Sequence, residues 1–308
     1  MNAILFPGQG SQIVGMGSEF YNKFEIVKKI FKEADDKLKY KISNIILEGP
    51  ESDLKLTKNT QPAILTVSYA IFSVLKNEFN FDFKSTNFFA GHSLGEYSAL
   101  VCSDSLTFND ALFLLFERGK SMQEAVPLGK GKMIAVLGLS IDEINNLISE
   151  TKVKGVCEIA NDNAEGQTIV SGDVESINIF QSTLKANNKK FIPLNVSAPI
   201  HCSLMKPASE KMKDKINSIN FKKPLFDIVC NVTAKIEKNP EDIKQLLIKQ
   251  IYSTVRWRES IINMTKQKTT TFIEIGPGKV LTGMVKRTVK GINSFSINSI
   301  DDMKKLTE

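Results

Sequence analysis

The apolar positions of the chain alternate between two periods. Ala3-Ile4-Leu5-Phe6 is a short unbroken apolar run, the pattern of a strand buried on both faces, and it stops at Pro7-Gly8-Gln9-Gly10-Ser11-Gln12, a loop that only glycines make this tight. Phe20, Phe24, Val27, Ile30 and Phe31 then recur at helical spacing, so the first unit reads strand, loop, helix. Gln61-Pro62 opens a long apolar helix over 63–75, a short strand follows at 87–90, and a further helix begins directly after Gly91-His92-Ser93-Leu94-Gly95. Strands alternating with helices predict a mostly parallel sheet covered on both faces, an α/β body.

The order changes after Gly129-Lys130-Gly131. A strand at 133–137, a helix at 141–149, strands at 156–160 and 167–171 around the turn-rich 161–166, a helix at 174–186 and a strand at 190–194 follow in the order β-α-β-β-α-β. That is the ferredoxin-like unit, and it predicts a small subdomain over 129–196 inserted into a larger one made of 1–128 and 197–308. Strands at 226–230, 271–275 and 294–297 complete the large sheet, and the polar tail after Asp301 is expected to fray.

Composition narrows the picture modestly. At 308 residues and 42% apolar, the chain can bury a sizeable core as one large domain with an insertion or as two domains. No apolar run approaches the roughly 18 residues of a membrane span, and no basic segment precedes the first strand, so a cytoplasmic protein without membrane anchoring is expected. The net charge of +6, from 40 basic and 34 acidic residues, is spread along the chain, which suits an acidic partner weakly and nucleic acid poorly. Cys102, Cys157, Cys202 and Cys230 lie far apart, so neither a metal site nor a dithiol redox pair is expected and reduced, buried thiols are the simpler reading.

Chemistry enters at Gly91-His92-Ser93-Leu94-Gly95, a G-x-S-x-G set between a strand and a helix, the context of a nucleophile elbow. The glycines let the backbone turn sharply, and a helix N-terminus there offers free N–H groups to an oxyanion. A serine needs a base, and the chain holds 2 histidines, His92 and His201. His92 adjoins the serine on an extended segment and points away from it, a packed or hydrogen-bonding support. His201, where a proline-containing loop enters a helix near Ser203, is left as the base. Arg118 lies on a helix apolar nearly all round, in a stripe with Ala111, Leu115 and Met122. A buried guanidinium requires an anion, and two remain open: a structural carboxylate such as Glu117 of a neighbouring element, or a substrate carboxylate gripped by both prongs.

Several blocks in order carry a resemblance. They are Phe6-Pro7-Gly8-Gln9-Gly10-Ser11-Gln12, Asn59-Thr60-Gln61-Pro62-Ala63, Gly91-His92-Ser93-Leu94-Gly95-Glu96-Tyr97, Glu117-Arg118-Gly119, Ala160-Asn161-Asp162-Asn163, His201-Cys202-Ser203-Leu204-Met205, Val255-Arg256-Trp257 and Glu274-Ile275-Gly276-Pro277-Gly278. Together they resemble the malonyl-CoA:acyl carrier protein transacylases of fatty-acid synthesis, over nearly the whole chain. The resemblance implies a hydrolase-like α/β body with a ferredoxin-like insert, Ser93 as nucleophile, His201 as base, and Gln250 in place of an acid to orient that histidine. It implies further that the backbone N–H groups of Gln9 and Leu94 form the oxyanion hole, that Arg118 binds the malonyl carboxylate, and that Asn161 and Asn163 line the cleft. The block before His201 is similar to the malonyl-using branch rather than the methylmalonyl one.

Substrate and partner follow from the same resemblance: malonyl-CoA as substrate rather than cofactor, acyl carrier protein as partner, a monomer. That carrier is acidic in this family, so Lys189, Lys190, Lys286 and Arg287 are the basic residues expected to dock it, although lysine pairs are commonly no more than solvated surface. The main rival is an α/β-hydrolase esterase or thioesterase, which shares G-x-S-x-G but brings an acid before its histidine and an HGGG-type oxyanion loop. A second rival is a catalytically silent carrier-binding scaffold.

Overall fold

Among the described residues, ten strands sort into two sheets with no strand in common: β1 (Asn2–Phe6), β2 (Thr86–Gly91), β3 (Gly131–Leu137), β4 (Cys157–Ala164), β5 (Gln167–Asp173), β6 (Lys190–Pro193), β7 (Asp227–Val229), β8 (Ile236–Glu237), β9 (Thr271–Ile275) and β10 (Asn293–Ile297). The computed structural model describes residues 1–196 and 198–307; Ser197, on the expected subdomain boundary, and Glu308 lie outside the described residues.

The large sheet runs β10-β9-β1-β2-β7-β8, parallel throughout except for the antiparallel edge pair β7–β8. Its central strand buries both faces: Ile4 and Phe6 enter one core with the helix Thr57–Asn77, while Ala3 and Leu5 enter the other with Trp257 and Phe272. Continuous apolar sequence is what such a doubly covered parallel strand needs. Each of these large side chains contributes about 1.5–3 kcal/mol on burial. Phe89 of β2 stacks on Phe226 with centroids 4.3 Å apart, tying β2 to the segment that leads into β7.

The small sheet is antiparallel in the order β4-β5-β3-β6. With the helices Ile141–Thr151 and Val174–Ala186 packed on one face, it is the ferredoxin-like arrangement. Ile134, Val136 and Val170 face those helices, and Met133, Ala135 and Ile169 face the other way. The helix starts are legible: Ser140 and Glu143 form a reciprocal capping box, and Asp173 caps the second helix through the N–H of Ser176.

Four local expectations are corrected. The apolar stripe beginning at Phe20 is two helices, Ser18–Lys23 and Glu25–Leu38, because Phe24 between them is extended at φ −117° and ψ 123°. The helix expected to open at Gln61-Pro62 starts at Thr57, with Pro62 inside it and Thr66 Oγ1 donating to the Pro62 carbonyl. The turn-rich 161–166 is strand as far as Ala164, since the β5 ladder overrides the local preference of its asparagines for turns. The tail does not fray: Ile300–Thr307 is a helix that buries Ile300 and Met303.

Candidate active site

The parallel sheet ends at a turn that crowding dictates. A Cβ on Gly91 would stand 1.9 Å from the carbonyl carbon of Gly95, and one on Gly95 would stand 2.2 Å from the Phe6 carbonyl oxygen, so both positions exclude a side chain. Between them Ser93 is held at φ 54°, the left-handed region that a non-glycine residue adopts at a cost of roughly 1–3 kcal/mol. Three hydrogen bonds hold it there. The Ser93 N–H donates to Asn231 Oδ1 at 2.7 Å, Asn231 Nδ2 donates to the Gly91 carbonyl at 2.7 Å, and Gln250 Nε2 donates to the Ser93 carbonyl at 3.1 Å. The helix Gly95–Cys102 starts at once and is buried along its length.

Ser93 Oγ lies 2.7 Å from His201 Nε2, and His201 Nδ1 lies 2.8 Å from the backbone carbonyl of Gln250. A carbonyl only accepts, so Nδ1 carries the proton and Nε2 is left to accept from the serine hydroxyl. Burial, and then the Arg118 charge, push the His201 pKa down to about 3, so the ring stands neutral, as a base must before it acts. Gln250 thus meets His201 through its main chain, which no side-chain pattern signals; its amide is engaged elsewhere.

Arg118, 1% exposed, is packed on the helix Phe108–Ala125 with the stripe residues Ala111, Leu115 and Met122 all buried. No carboxylate bonds to it among the described residues, contrary to the structural alternative; Glu117 pairs instead with Lys215 at 2.9 Å. Its Nη1 donates to Gln61 Oε1 at 2.7 Å, and its Nη2 donates to Gln250 Oε1 at 2.9 Å and to Ser93 Oγ at 3.1 Å. Neutral oxygens therefore stand where the structural alternative put a carboxylate, and burial lowers the arginine pKa without discharging so strong a base. The same hydroxyl accepts from a guanidinium and donates to a histidine.

A cavity of about 420 Å³ opens over Ser93 between the two sheets, with Gln9, His92 and Met284 on the body side and Asn161, Asn163 and Ile169 on the insert side. The Gln9 loop lies against the elbow: a Cβ on Gly8 would meet the His92 carbonyl oxygen at 2.5 Å. Leu94 directly precedes the helix Gly95–Cys102, whose first N–H groups, those of Gly95, Glu96 and Tyr97, donate to the carbonyls of His92, Ser93 and Leu94. Asn161 and Asn163 sit in β4 among register shifts at 159/161 and 162/164, bulges that turn side chains toward a site. Asn163 Oδ1 accepts from His92 Nε2 at 2.8 Å, so His92 supports the insert instead of the serine. Lys190, Lys286 and Arg287 are exposed and Lys189 half-buried. Lys286 and Arg287 lie on the helix Val280–Thr288, whose Val280, Leu281 and Met284 line the cavity, and Lys189 and Lys190 stand at the start of β6, just before the lining residues Leu194, Asn195 and Val196.

Three buried residues of this centre drew no role from the sequence: Gln61, Glu96 and Asn231. Gln61 and Glu96 stand inside quoted blocks, and Asn231 follows the C-terminal end of β7, the end of a parallel strand where α/β sites gather. Among the described residues no cluster of three His, Cys, Asp or Glu side chains could hold a metal ion, and no helix is long and apolar enough to cross a membrane.

A serine hydroxyl bonded to a neutral histidine, on an elbow at the end of a parallel strand, defines a class of enzyme that passes acyl groups through a serine ester. The chain is matched by the acyl transferase domain family over residues 4–307, and it belongs to that family and, within it, to the malonyl-CoA:acyl carrier protein transacylases. It is 42% identical over 298 residues to the malonyl CoA-acyl carrier protein transacylase of Bacillus subtilis (strain 168), covering 96% of this chain and 93% of that one. The Escherichia coli (strain K12) protein of the same name is 40% identical over 307 residues, 99% of this chain and 98% of its own. Among solved structures, the acyl-carrier-protein-S-malonyltransferase from Bartonella henselae superposes with TM-score 0.96 at 37% identity, covering 99% and 98% of the two chains. A malonyl-transacylase in complex with its type II PKS acyl-carrier protein superposes with TM-score 0.95 at 40% identity, covering 99% and 98%.

Proposed function

We infer that this chain is an [acyl-carrier-protein] S-malonyltransferase: it takes malonyl from malonyl-CoA onto Ser93 and hands it to the phosphopantetheine thiol of an acyl carrier protein. The observation that carries the reading is the single oxygen, Ser93 Oγ, placed 2.7 Å from a neutral histidine nitrogen and 3.1 Å from a buried guanidinium. A nucleophile, its base and a receptor for a carboxylate thereby share one point.

The first half-reaction follows from that geometry. His201 Nε2 takes the Ser93 proton as Oγ attacks the thioester carbonyl, and Nδ1–H, bonded to the Gln250 carbonyl, steadies the imidazolium that forms. The N–H groups of Gln9 and Leu94 receive the tetrahedral oxyanion, which collapses to the ester as the CoA sulfur leaves with the proton from His201. Arg118, freed from Ser93 Oγ once that oxygen is acylated, takes the malonyl carboxylate in its fork. The carrier's thiol then enters, His201 removes its proton, and malonyl leaves on the new sulfur. Both thiols have pKa values near ~8.5, so transfer is close to thermoneutral and later consumption of the product draws it forward.

The hydrolase rival places an acid behind its histidine; here a main-chain carbonyl stands there, and a buried guanidinium bonds to the serine oxygen. The same reading assigns body and insert to 1–128 with 197–308 and to 129–196, supported by the small sheet lying between Gly131 and Pro193. It carries from the family a cytoplasmic monomer that uses no cofactor beyond the malonyl-CoA it consumes, and it keeps Lys189, Lys190, Lys286 and Arg287 as the carrier-docking residues. Intact-mass measurement after mixing with malonyl-CoA is the test. A lasting malonyl adduct on the Ser93 peptide, discharged by holo carrier protein, is expected. Rapid release of free malonate instead establishes a hydrolase, and the absence of any adduct a scaffold.

A further inference from the structure

Among the described residues, Glu96 is the one carboxylate buried inside the polar network beneath the serine, and the mechanism above does not use it. It lies in the first turn of the helix Gly95–Cys102 and is 1% exposed. Its Oε2 accepts from the N–H of Asn231 at 2.9 Å and from Gln250 Nε2 at 2.9 Å, while Oε1 has no partner in hydrogen-bond geometry and the buried Cys230 thiol is a further polar group near the carboxylate. Burial raises its pKa to about 7, so the site keeps an acidic group where dehydration opposes its charge.

The Gln250 amide stands between this carboxylate and Arg118. Its nitrogen faces Glu96, the Ser93 carbonyl and, at 3.3 Å, Asn231 Oδ1, and its oxygen faces Arg118 Nη2 at 2.9 Å. An arginine only donates and a carboxylate only accepts, so an amide bracketed by the two has one satisfactory orientation. Without Glu96 the amide loses its shortest and only charged acceptor and keeps the longer bonds to the Ser93 carbonyl at 3.1 Å and Asn231 Oδ1 at 3.3 Å, a weaker hold on the orientation that aims its oxygen at the guanidinium. We propose that Glu96 is a positioning residue for malonyl selectivity: it fixes the Gln250 amide from the side opposite Arg118, and so sets where the guanidinium waits for the malonyl carboxylate. This inference rests on the reading that Arg118 receives that carboxylate.

The test compares kcat/KM for malonyl-CoA with that for acetyl-CoA, because damage to the serine or to packing lowers both and cancels in the ratio. Glu96→Leu removes the acceptor and is expected to lower the malonyl-to-acetyl ratio at least about tenfold, chiefly through KM for malonyl-CoA, the scale of one lost buried hydrogen bond to a charged group. Glu96→Gln can place its carbonyl oxygen where Oε2 stands and its nitrogen where Oε1 has no partner, so it should keep the ratio within about threefold of wild type. Gln250→Met removes the relay itself and should lower the ratio as far as Glu96→Leu does. It serves in place of Glu96→Leu if the latter does not fold. An unchanged ratio in Glu96→Leu or in Gln250→Met overturns the proposal, and so does a Glu96→Gln ratio as low as that of Glu96→Leu. Arg118→Ala run beside them separates the two ideas. If it lowers the ratio while the Glu96 and Gln250 variants do not, only the positioning role fails; if it leaves the ratio unchanged, the reading of Arg118 fails and takes this inference with it.

Discussion

The two sheets meet at one cavity but build their sides of it differently. On the body side, strands buried on both faces end in a network where Ser93, Glu96, Arg118, Asn231 and Gln250 are each 5% exposed or less and interlocked by hydrogen bonds. On the insert side, one face of an antiparallel sheet packs on its own helices and the other looks into the cleft, while the edge strand β6 leaves Ile192 54% exposed. The insert is fastened near the site by a few ties: the N–H of Asp162 donates to the Val255 carbonyl at 2.9 Å, and Arg258 Nε reaches both oxygens of Asp162 at 2.9 and 3.1 Å. Chemistry that fails with a displacement of about 1 Å sits on the rigid side. The cleft face of the insert is suited to contacts that tolerate adjustment.

If that division is correct, substitutions in the body network should strike chemistry and those on the insert should strike carrier binding. The largest effect is expected from Ser93→Ala, which should abolish the covalent adduct, with His201→Ala slowing acylation by roughly 10²–10⁴. Mass mapping that still finds malonyl on another peptide of the Ser93→Ala protein would remove the serine from its role. Arg118→Ala comes next, with malonyl kcat/KM falling by about 2–5 kcal/mol in transition-state terms and acetyl transfer falling far less. Equal losses for the two substrates in a protein that keeps its thermal midpoint would make Arg118 a structural residue.

A third effect concerns pH. His201 is held neutral when folded, with its pKa at about 3 against about 6.5 in the unfolded chain, so the unfolded state binds the extra proton as pH falls between those values. Stability contributed by the neutral ring is therefore present above about pH 6.5 and lost on acidification toward pH 3. His201→Ala should flatten the acid limb of thermal midpoint against pH, and an unaltered limb would mean that other groups drive acid unfolding. The smallest effect is expected at the surface. Reversing Lys189 and Lys190 on the insert, or Lys286 and Arg287 on the body, should raise KM for carrier protein a few-fold, more at low salt, without changing acylation by malonyl-CoA. An unchanged carrier KM at low salt would exclude those residues from docking.

Several features were decided by local chemistry and are legible in the residues alone. The run of apolar residues in β1 has to be buried on both faces, the glycines flanking Ser93 have to admit backbone at van der Waals contact, and the β-α-β-β-α-β order has only one compact sheet to form. The pairing of His201 with Ser93 could be reached by counting, since a reactive serine asks for an imidazole and the chain holds 2 histidines. Tertiary structure decided the rest, because the deciding contacts join residues far apart in the chain. Asparagines that favour turns became strand once the β5 ladder supplied hydrogen bonds, and a polar tail became helix once the body covered Met303. The sequence left a structural carboxylate open as the partner of Arg118, yet Gln61 and Gln250, at separations of 57 and 132 residues, bring amide oxygens to it instead. The partner of His201 is a main-chain carbonyl, a group that every residue carries, so only the folded chain could select the one at Gln250.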